Sequence, residues 1–370
     1  MAVQPRPGGP NSMHLNWKGL QPMTAVLLPG QVRAFATEVL RALGMPQDDA
    51  TIAAEAMVWA GLHGHLWESL WRLEQIAERS KAGGLSLTAD WTPVRQHGNT
   101  TVLDASDAWG PVAGAHGMRH AIDAAKSFGV GMASVRNCDV TAQMGWYSSR
   151  ALPERMIGIA ITNSVPFFPP WGGASKVLGD QATSIASPAG RHAPIILDMG
   201  LDAVSMETLN EALDTGTPLP PGLIVDAAGA PTTDARKWRD GGALLPMGGH
   251  RGYGLALMWE VLTGVLSGGH MSTEVRDMRE LDQHLGISLF LMAIDPSAFL
   301  PYATFVERVD RLIDAIHASP VAPGFDRVRV PGELRAAMAR ERERDGIPFP
   351  AEHLTTLEAL AADLGVRCPW

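Results

Sequence analysis

The feature that most constrains this chain is a change of apolar period along it. Over residues 29–73 apolar positions recur at helical spacing (Val32, Phe35, Val39, Leu40, Leu43, then Ile52, Ala56, Trp59), with Gly44 and Pro46 breaking the run. Residues 113–128 read as one more helix. Short apolar runs follow at 131–135, 157–162, 184–187 and 195–199, each bounded by Gly, Pro or Asn, and these predict strands. Helices are expected at 203–212, 253–266, 301–317 and 332–344, a strand at 288–294, and a mostly irregular stretch at 216–249, where Pro and Gly are dense. The order mixes α and β without regular βα alternation. No GxGxxG follows a first strand either, so the chain is not a doubly wound dinucleotide-binding sheet.

A single core stops growing near about 250 to 300 residues, so 370 residues make two domains or one large one. With 46% hydrophobic and 19% charged residues the composition is that of a globular protein with a substantial core. The net charge of −9, without a basic run, argues against nucleic acid and anionic membranes as partners. Cys138 and Cys368 stand far apart and form neither a CxxC nor a zinc pattern, so we expect no disulfide or metal framework and a cytoplasmic location. Residues 1–22, rich in Pro and Gly and without the apolar core of a secretory signal, read as a flexible extension. The longest apolar helix candidate, residues 253–267, is too short to span a bilayer and carries Glu260.

Seven short motifs then occur in order: Val135-Arg136-Asn137, Gly158-Ile159-Ala160-Ile161-Thr162-Asn163-Ser164, Pro170-Trp171-Gly172-Gly173, Leu197-Asp198-Met199, Pro231-Thr232-Thr233-Asp234, Pro246-Met247-Gly248-Gly249-His250-Arg251-Gly252-Tyr253-Gly254-Leu255 and Pro331-Gly332-Glu333. In order and spacing they resemble the malate/L-lactate dehydrogenase family of the non-Rossmann type, which includes ureidoglycolate, sulfolactate and diketogulonate oxidoreductases and cyclic imino-acid reductases. The resemblance covers residues 23–366. It implies an α/β fold of the α+β type: a largely antiparallel sheet domain (101–300) that binds an extended NADH or NADPH, with helical regions at 23–100 and 301–370 packing together. It also implies a homodimer and a small carboxylate substrate, with hydride transfer to or from C2 of a 2-oxo, 2-hydroxy or 2-imino acid.

The family's helix motif Gly-His-x-Ser-His-Gly-x-x-Arg-Leu falls on Gly64 to Leu73. Gly64, His65, Arg72 and Leu73 match, while Trp67-Glu68-Ser69 replaces Ser-His-Gly, so Glu68 stands where the family has a proton-donating His. The His of a second motif, Asn-x-x-His-Phe-Gly, is Val140 here. Gly-Thr-Asn-Pro has become Gly179-Asp180-Gln181-Ala182, and a Gly-Lys pair has become Glu207-Thr208. The resemblance implies that Ser164, Asp198, Met199 and Arg251 contact the cofactor, with Arg251 replacing a Lys. Arg72 is expected to grip the substrate carboxylate. Glu68 is expected to supply acid/base chemistry, sharing a proton with Asp198 if the two approach.

Three functions are compatible with this pattern. The first is an NAD(P)H-dependent reductase of a 2-oxo or 2-imino acid with Glu68 as the altered acid. The second is a redox-silent lyase, isomerase or cyclase using Glu68 and Arg72. The third is a non-catalytic dimeric paralogue. The bland readings are an ordinary i,i+4 ion pair for Glu68 and Arg72, His63 and His65 pointing apart on a helix and holding no metal, and His250 bonding backbone in a turn. Trp67 and Trp71 read as core or interface packing, Trp171 as a core residue, and the run Arg340 to Arg344 as a solvated helix face.

Overall fold

A computed structural model of the protein describes residues 24–370. The extension expected at 1–22 lies outside the described residues. The chain opens with β1 (Thr24–Leu27), followed by helices α1 (Pro29–Leu43) and α2 (Gln47–Leu62). α1 buries Val32, Phe35, Ala36, Val39 and Leu40, the stripe anticipated from its spacing, and stops at Gly44, whose φ of 111° closes the helix in the left-handed conformation. α3 (Trp71–Ala82), the hairpin strands β2 (Arg95–His97) and β3 (Thr100–Asp104), α4 (Gly110–Phe128), β4 (Val130–Cys138), the short α5 (Met144–Ser149) and β5 (Ile157–Thr162) follow. Next come β6 (Thr183–Ser187), β7 (Ile195–Met199), α6 (Met206–Thr215), β8 (Ile224–Val225), β9 (Pro231–Thr232), α7 (Arg236–Arg239), β10 (Ala243–Leu244) and α8 (His250–Glu260). The chain closes with β11 (Ile287–Ile294), α9 (Tyr302–His317), α10 (Glu333–Asp345), β12 (Ile347–Pro350) and α11 (Ala351–Leu364).

The main sheet has seven strands in the order β2-β3-β4-β11-β5-β6-β7. Only β3 and β4 run parallel, so the sheet is largely antiparallel as the resemblance implied. α4 packs against β4 and β11. The stretch 216–249 is mostly irregular but contributes a small three-stranded sheet, β10-β8-β9. One apolar core runs without a break from Phe35 and Met57 in the N-terminal helices, through Leu103, Tyr147 and Leu289, to Phe349 and Leu357 near the C-terminus. A second, smaller core gathers Phe168, Leu201, Leu209, Leu244 and Ala256. β1, the first described strand, pairs antiparallel with β12 more than 300 residues later, a contact that local periodicity does not reveal.

Two expectations are corrected. The helical pattern of residues 29–73 is broken between α2 and α3 by a turn at His63–His65 and a 3₁₀ turn at Leu66–Glu68. The run Arg340 to Arg344 is not a wholly solvated face. Arg342 is buried and donates to the Gly61 carbonyl, because α10 packs on the end of α2, where helix carbonyls lack partners. Among the described residues no helix is long and apolar enough to cross a membrane.

α11 is fastened to α3 through His353, whose ring meets Trp71 edge-on at a centroid distance of 4.4 Å. Burial pushes this imidazole down to about 3. A neutral buried His contributes stability above its unfolded value of about 6.5, and that contribution is lost as pH falls below it because the unfolded chain takes up the proton. At about pH 5 the expected loss is about 2 kcal/mol. Melting temperatures at neutral and acid pH should show a smaller acid-induced drop for His353→Phe than for the parent protein.

Candidate functional site

The Glu68 motif is not the continuous helix the sequence suggested. Gly64, at φ 89°, turns the chain out of α2, and Ser69 ties the turn back by donating from Oγ to the Met57 carbonyl at 2.8 Å. Across this turn Arg72 Nε and Nη2 each donate to a Glu68 carboxylate oxygen at 2.6 Å, a two-pronged pair. Arg72 Nη1 reaches Gln75 and the Met278 sulfur. Burial works against the Arg72 charge, but Glu68 beside it outweighs burial and raises the guanidinium above its usual value. Both residues are thus brought together, each filling the other's hydrogen-bonding edge.

Asp198 sits elsewhere, on the main sheet. At the end of β7, its Oδ2 accepts the Gly145 N–H of α5 at 2.9 Å, and no bond to Oδ1 occurs among the described residues. No hydrogen bond joins Asp198 to Glu68; the buried Tyr147, whose hydroxyl donates to the Thr141 carbonyl, lies within electrostatic reach of both. Desolvation by the surrounding protein pushes Asp198 up to about 6, against the Gly145 N–H and the more distant Arg335, although the residue stays open to solvent. Trp59 lies beside it, its ring edge converging with Asp198 on Gly145, and stacks on His63 at 4.0 Å.

His63 and His65 lie just past the end of α2, within electrostatic reach of Arg335 and Arg342 of α10. His63 Nδ1 lies 2.8 Å from the Trp59 carbonyl and so carries the proton. Burial first, then Arg335, hold His65 down to about 3, and burial likewise lowers His63. No group of three or more potential metal ligands exists among the described residues.

From Asp198 the chain runs along a polar strip. Ser164 Oγ donates to Asp180 Oδ1 at 2.7 Å, and Leu201 N–H to the Asp180 carbonyl at 2.7 Å. Asp180 and Asp202 flank Gly200, where a Cβ would collide with Asp202 and stand 3.3 Å from Asp180. Burial, then Asp180, push Asp202 up to about 7. Met247 N–H bonds the Leu201 carbonyl, which carries the strip to Gly248 and Gly249 at the start of α8. There the α8 N–H groups lack helical partners and Arg251 is exposed with no ion pair among the described residues. Beside them lies a cavity of about 410 Å³ lined by Trp171, Leu223, Leu245, Met247 and Gly249. Trp171 is 61% exposed, so it is not the core residue expected, and its ring faces His250 edge-on at 5.6 Å.

The altered motifs have acquired structural partners. Gln181 donates to buried Glu260 at 2.5 Å, and Glu260 also accepts from Asn163 and the Ser272 N–H. Thr208 N–H is capped by Ser205 at the start of α6. Val140 packs on the main core. Sequence reasoning missed Asp202 and Arg335, which reach the site only through long-range packing; the nearby motifs, Leu197-Asp198-Met199 and Pro331-Gly332-Glu333, were the available signals.

The family model described as malate/L-lactate dehydrogenase matches residues 29–358. The malate dehydrogenase of Pyrococcus horikoshii is 33% identical over 341 residues, covering 90% of this chain and 94% of that protein. The NAD(+) ureidoglycolate dehydrogenase of Escherichia coli is 30% identical over 82% of this chain and 86% of its own length. The solved sulfolactate dehydrogenase from Methanocaldococcus jannaschii superposes with a TM-score of 0.87 at 32% identity, covering 93% of this chain and 98% of that one. The chain belongs to the malate/L-lactate dehydrogenase family.

Proposed function

We propose that the protein is a nicotinamide-dependent oxidoreductase acting on a small 2-oxo or 2-imino carboxylate, with Asp198 as its acid/base group. The observation that carries this reading is Asp198 itself: one oxygen anchored by Gly145, the other unbonded in a residue open to solvent, with desolvation by the surrounding protein raising the group to about 6. Glu68, whose two oxygens face Arg72, then acts by holding the turn at 63–72 in shape.

The strip from Ser164 to Arg251 fits a dinucleotide, NADH or NADPH. Its α8 terminus offers unpartnered N–H groups and the Arg251 charge to an anion. The adjoining cavity offers Trp171 to a ring. Asp202, pushed up to about 7, is partly protonated at neutral pH and so repels phosphate less than an ordinary carboxylate. Ser164, Met199 and Arg251 would hold the cofactor, which when bound supplies or accepts a hydride at C2 of the substrate. Asp198 gives a proton to the 2-oxo oxygen or 2-imino nitrogen during reduction and takes it back during oxidation, while Trp59, stacked on His63, flanks the carboxyl.

A homodimer belongs to the same reading. Leu257, Met258, Val261, Val265 and Leu266, from α8 and the π turn after it, are exposed in succession and form an apolar surface suited to a second copy.

Loss of nicotinamide absorbance on mixing NADH or NADPH with 2-oxo acids and cyclic 2-imino acids tests the reaction. Arg251→Gln should weaken dinucleotide binding about 10- to 100-fold, the worth of a charge-assisted phosphate contact, and reduce its dependence on salt. Unchanged affinity would remove Arg251 from the site. Absence of turnover with every substrate, in a protein that binds neither cofactor, would favour the redox-silent lyase, isomerase or cyclase chemistry that the lost histidine positions (Glu68, Val140) also allow.

A further inference from the structure

We propose that the substrate carboxylate is held by Arg335 of α10 and not by Arg72. The inference rests on the functional reading above and names the anchor of that same site. Arg72 is poorly placed to bind a second anion: the Glu68 carboxylate occupies its Nε–Nη2 edge, and Gln75 and Met278 face Nη1. A guanidinium already paired in two-pronged fashion has no equivalent fork left to offer.

Arg335 is in the opposite state. It is half-buried, and its one hydrogen bond among the described residues is Nη1 to the His63 carbonyl at 2.8 Å, a neutral acceptor. No carboxylate lies within ion-pair distance of it among the described residues. Glu333, two positions earlier on α10, is engaged by His317 at 2.6 Å. Asp198 feels the Arg335 charge without an ion pair to it, so the proposed acid and the unpaired cation share one neighbourhood without neutralising each other. A partly desolvated guanidinium with no counter-ion is unfavourable on its own and is relieved by an incoming anion.

The backbone is shaped to put it there. Pro331 accepts the Ile196 N–H at 3.2 Å, which seats the start of α10 on β7 two residues before Asp198. Gly332 has a φ of 93°, which favours Gly, and a Cβ there would stand a tight 3.0 Å from the Ile196 N and O. A Cβ on Gly64 would meet Arg335 Nη1 at 2.6 Å and the Met338 sulfur at 2.7 Å, so this Gly leaves room for the guanidinium against the turn. The same positive charge helps keep His63 and His65 neutral, which leaves Arg335 as the charged donor there beside Arg342, itself bonded to Gly61. A 2-oxo or 2-imino carboxylate spanning Arg335 and Asp198 places its carboxylate on the cation and its C2 substituent toward the acid.

The test uses the full chain and oxamate, a non-reducible 2-oxo carboxylate analogue, titrated by calorimetry with and without saturating NADH. Arg335→Gln should weaken oxamate binding about 10- to 100-fold, as expected for a lost charge-assisted contact, while NADH affinity stays unchanged. Arg335→Lys, which keeps the charge and the bond to His63, should fall between the two. Arg72→Lys, which keeps a positive charge beside Glu68 but lacks a fork, should leave oxamate affinity within about threefold of the parent, in line with an anion that does not use it. Parent-like oxamate affinity in Arg335→Gln, loss of affinity in Arg72→Lys instead, or no oxamate binding by the parent protein overturns the proposal. Failure to bind NADH contradicts the functional reading alone, because the oxamate titrations without cofactor still decide between the two arginines.

Discussion

Replacing Asp198 with Asn is expected to lower kcat by about 100- to 10,000-fold, the usual contribution of a positioned general acid, with dinucleotide affinity nearly unchanged. The amide keeps an oxygen for the Gly145 N–H and so preserves the end of β7, but it has no proton to exchange near neutral pH. The pH dependence carries the same signature. With Asp198 pushed up to about 6 by desolvation, reduction needs the protonated form and should slow as pH rises through about 6. Oxidation needs the carboxylate and should quicken over the same interval. Both ionisations should vanish from the pH profile of the Asn variant. A profile identical to the parent's would mean that another group moves the proton.

The second large effect is on stability. Arg79 has no exposed surface, and its Nη2 lies 2.8 Å from Asp139. The rest of the guanidinium is saturated by the carbonyls of Gly84, Met278, Glu280 and Gln283. One side chain thereby fastens α3 both to the end of β4 and to the loop carrying Met278, the residue facing Arg72. Arg79→Leu strands the Asp139 carboxylate and four carbonyls and should cost about 3 to 5 kcal/mol in denaturant unfolding. Removing both charges together, as Arg79→Leu with Asp139→Leu, should recover part of that loss, because an uncompensated buried charge is worse than none. A loss below about 1 kcal/mol for the single variant would mean that water reaches Asp139 freely.

How much of this was legible beforehand follows the range of the interactions. α1, α4 and β5 announced themselves because their periodicity is local and their bounds carry Gly, Pro or, for β5, Asn163. The break at 63–70 did not, since Leu66, Leu70 and Leu73 still fall at helical spacing while Gly64 and the bond from Ser69 to Met57 bend the chain. The pairing of Glu68 with Arg72 was visible as i,i+4 spacing, but its two-pronged geometry depends on that bend. The bland reading of Trp171 as core packing fails because this aromatic beside two glycines edges an open cavity. Asp202, Arg335 and buried Arg342 were unreadable for one reason: what makes each notable is contributed by residues far along the chain, such as Asp180, His63 and Gly61.

The claim on which the rest depends is that the strip from Ser164 to Arg251 receives a nicotinamide dinucleotide. Calorimetric titration of the full chain with NADH and with NADPH, with nicotinamide fluorescence followed in parallel, measures this most directly. Binding of one or both in the micromolar range, with a change in fluorescence, is the result predicted here. No heat and no fluorescence change with either, from protein shown to be folded, would contradict it.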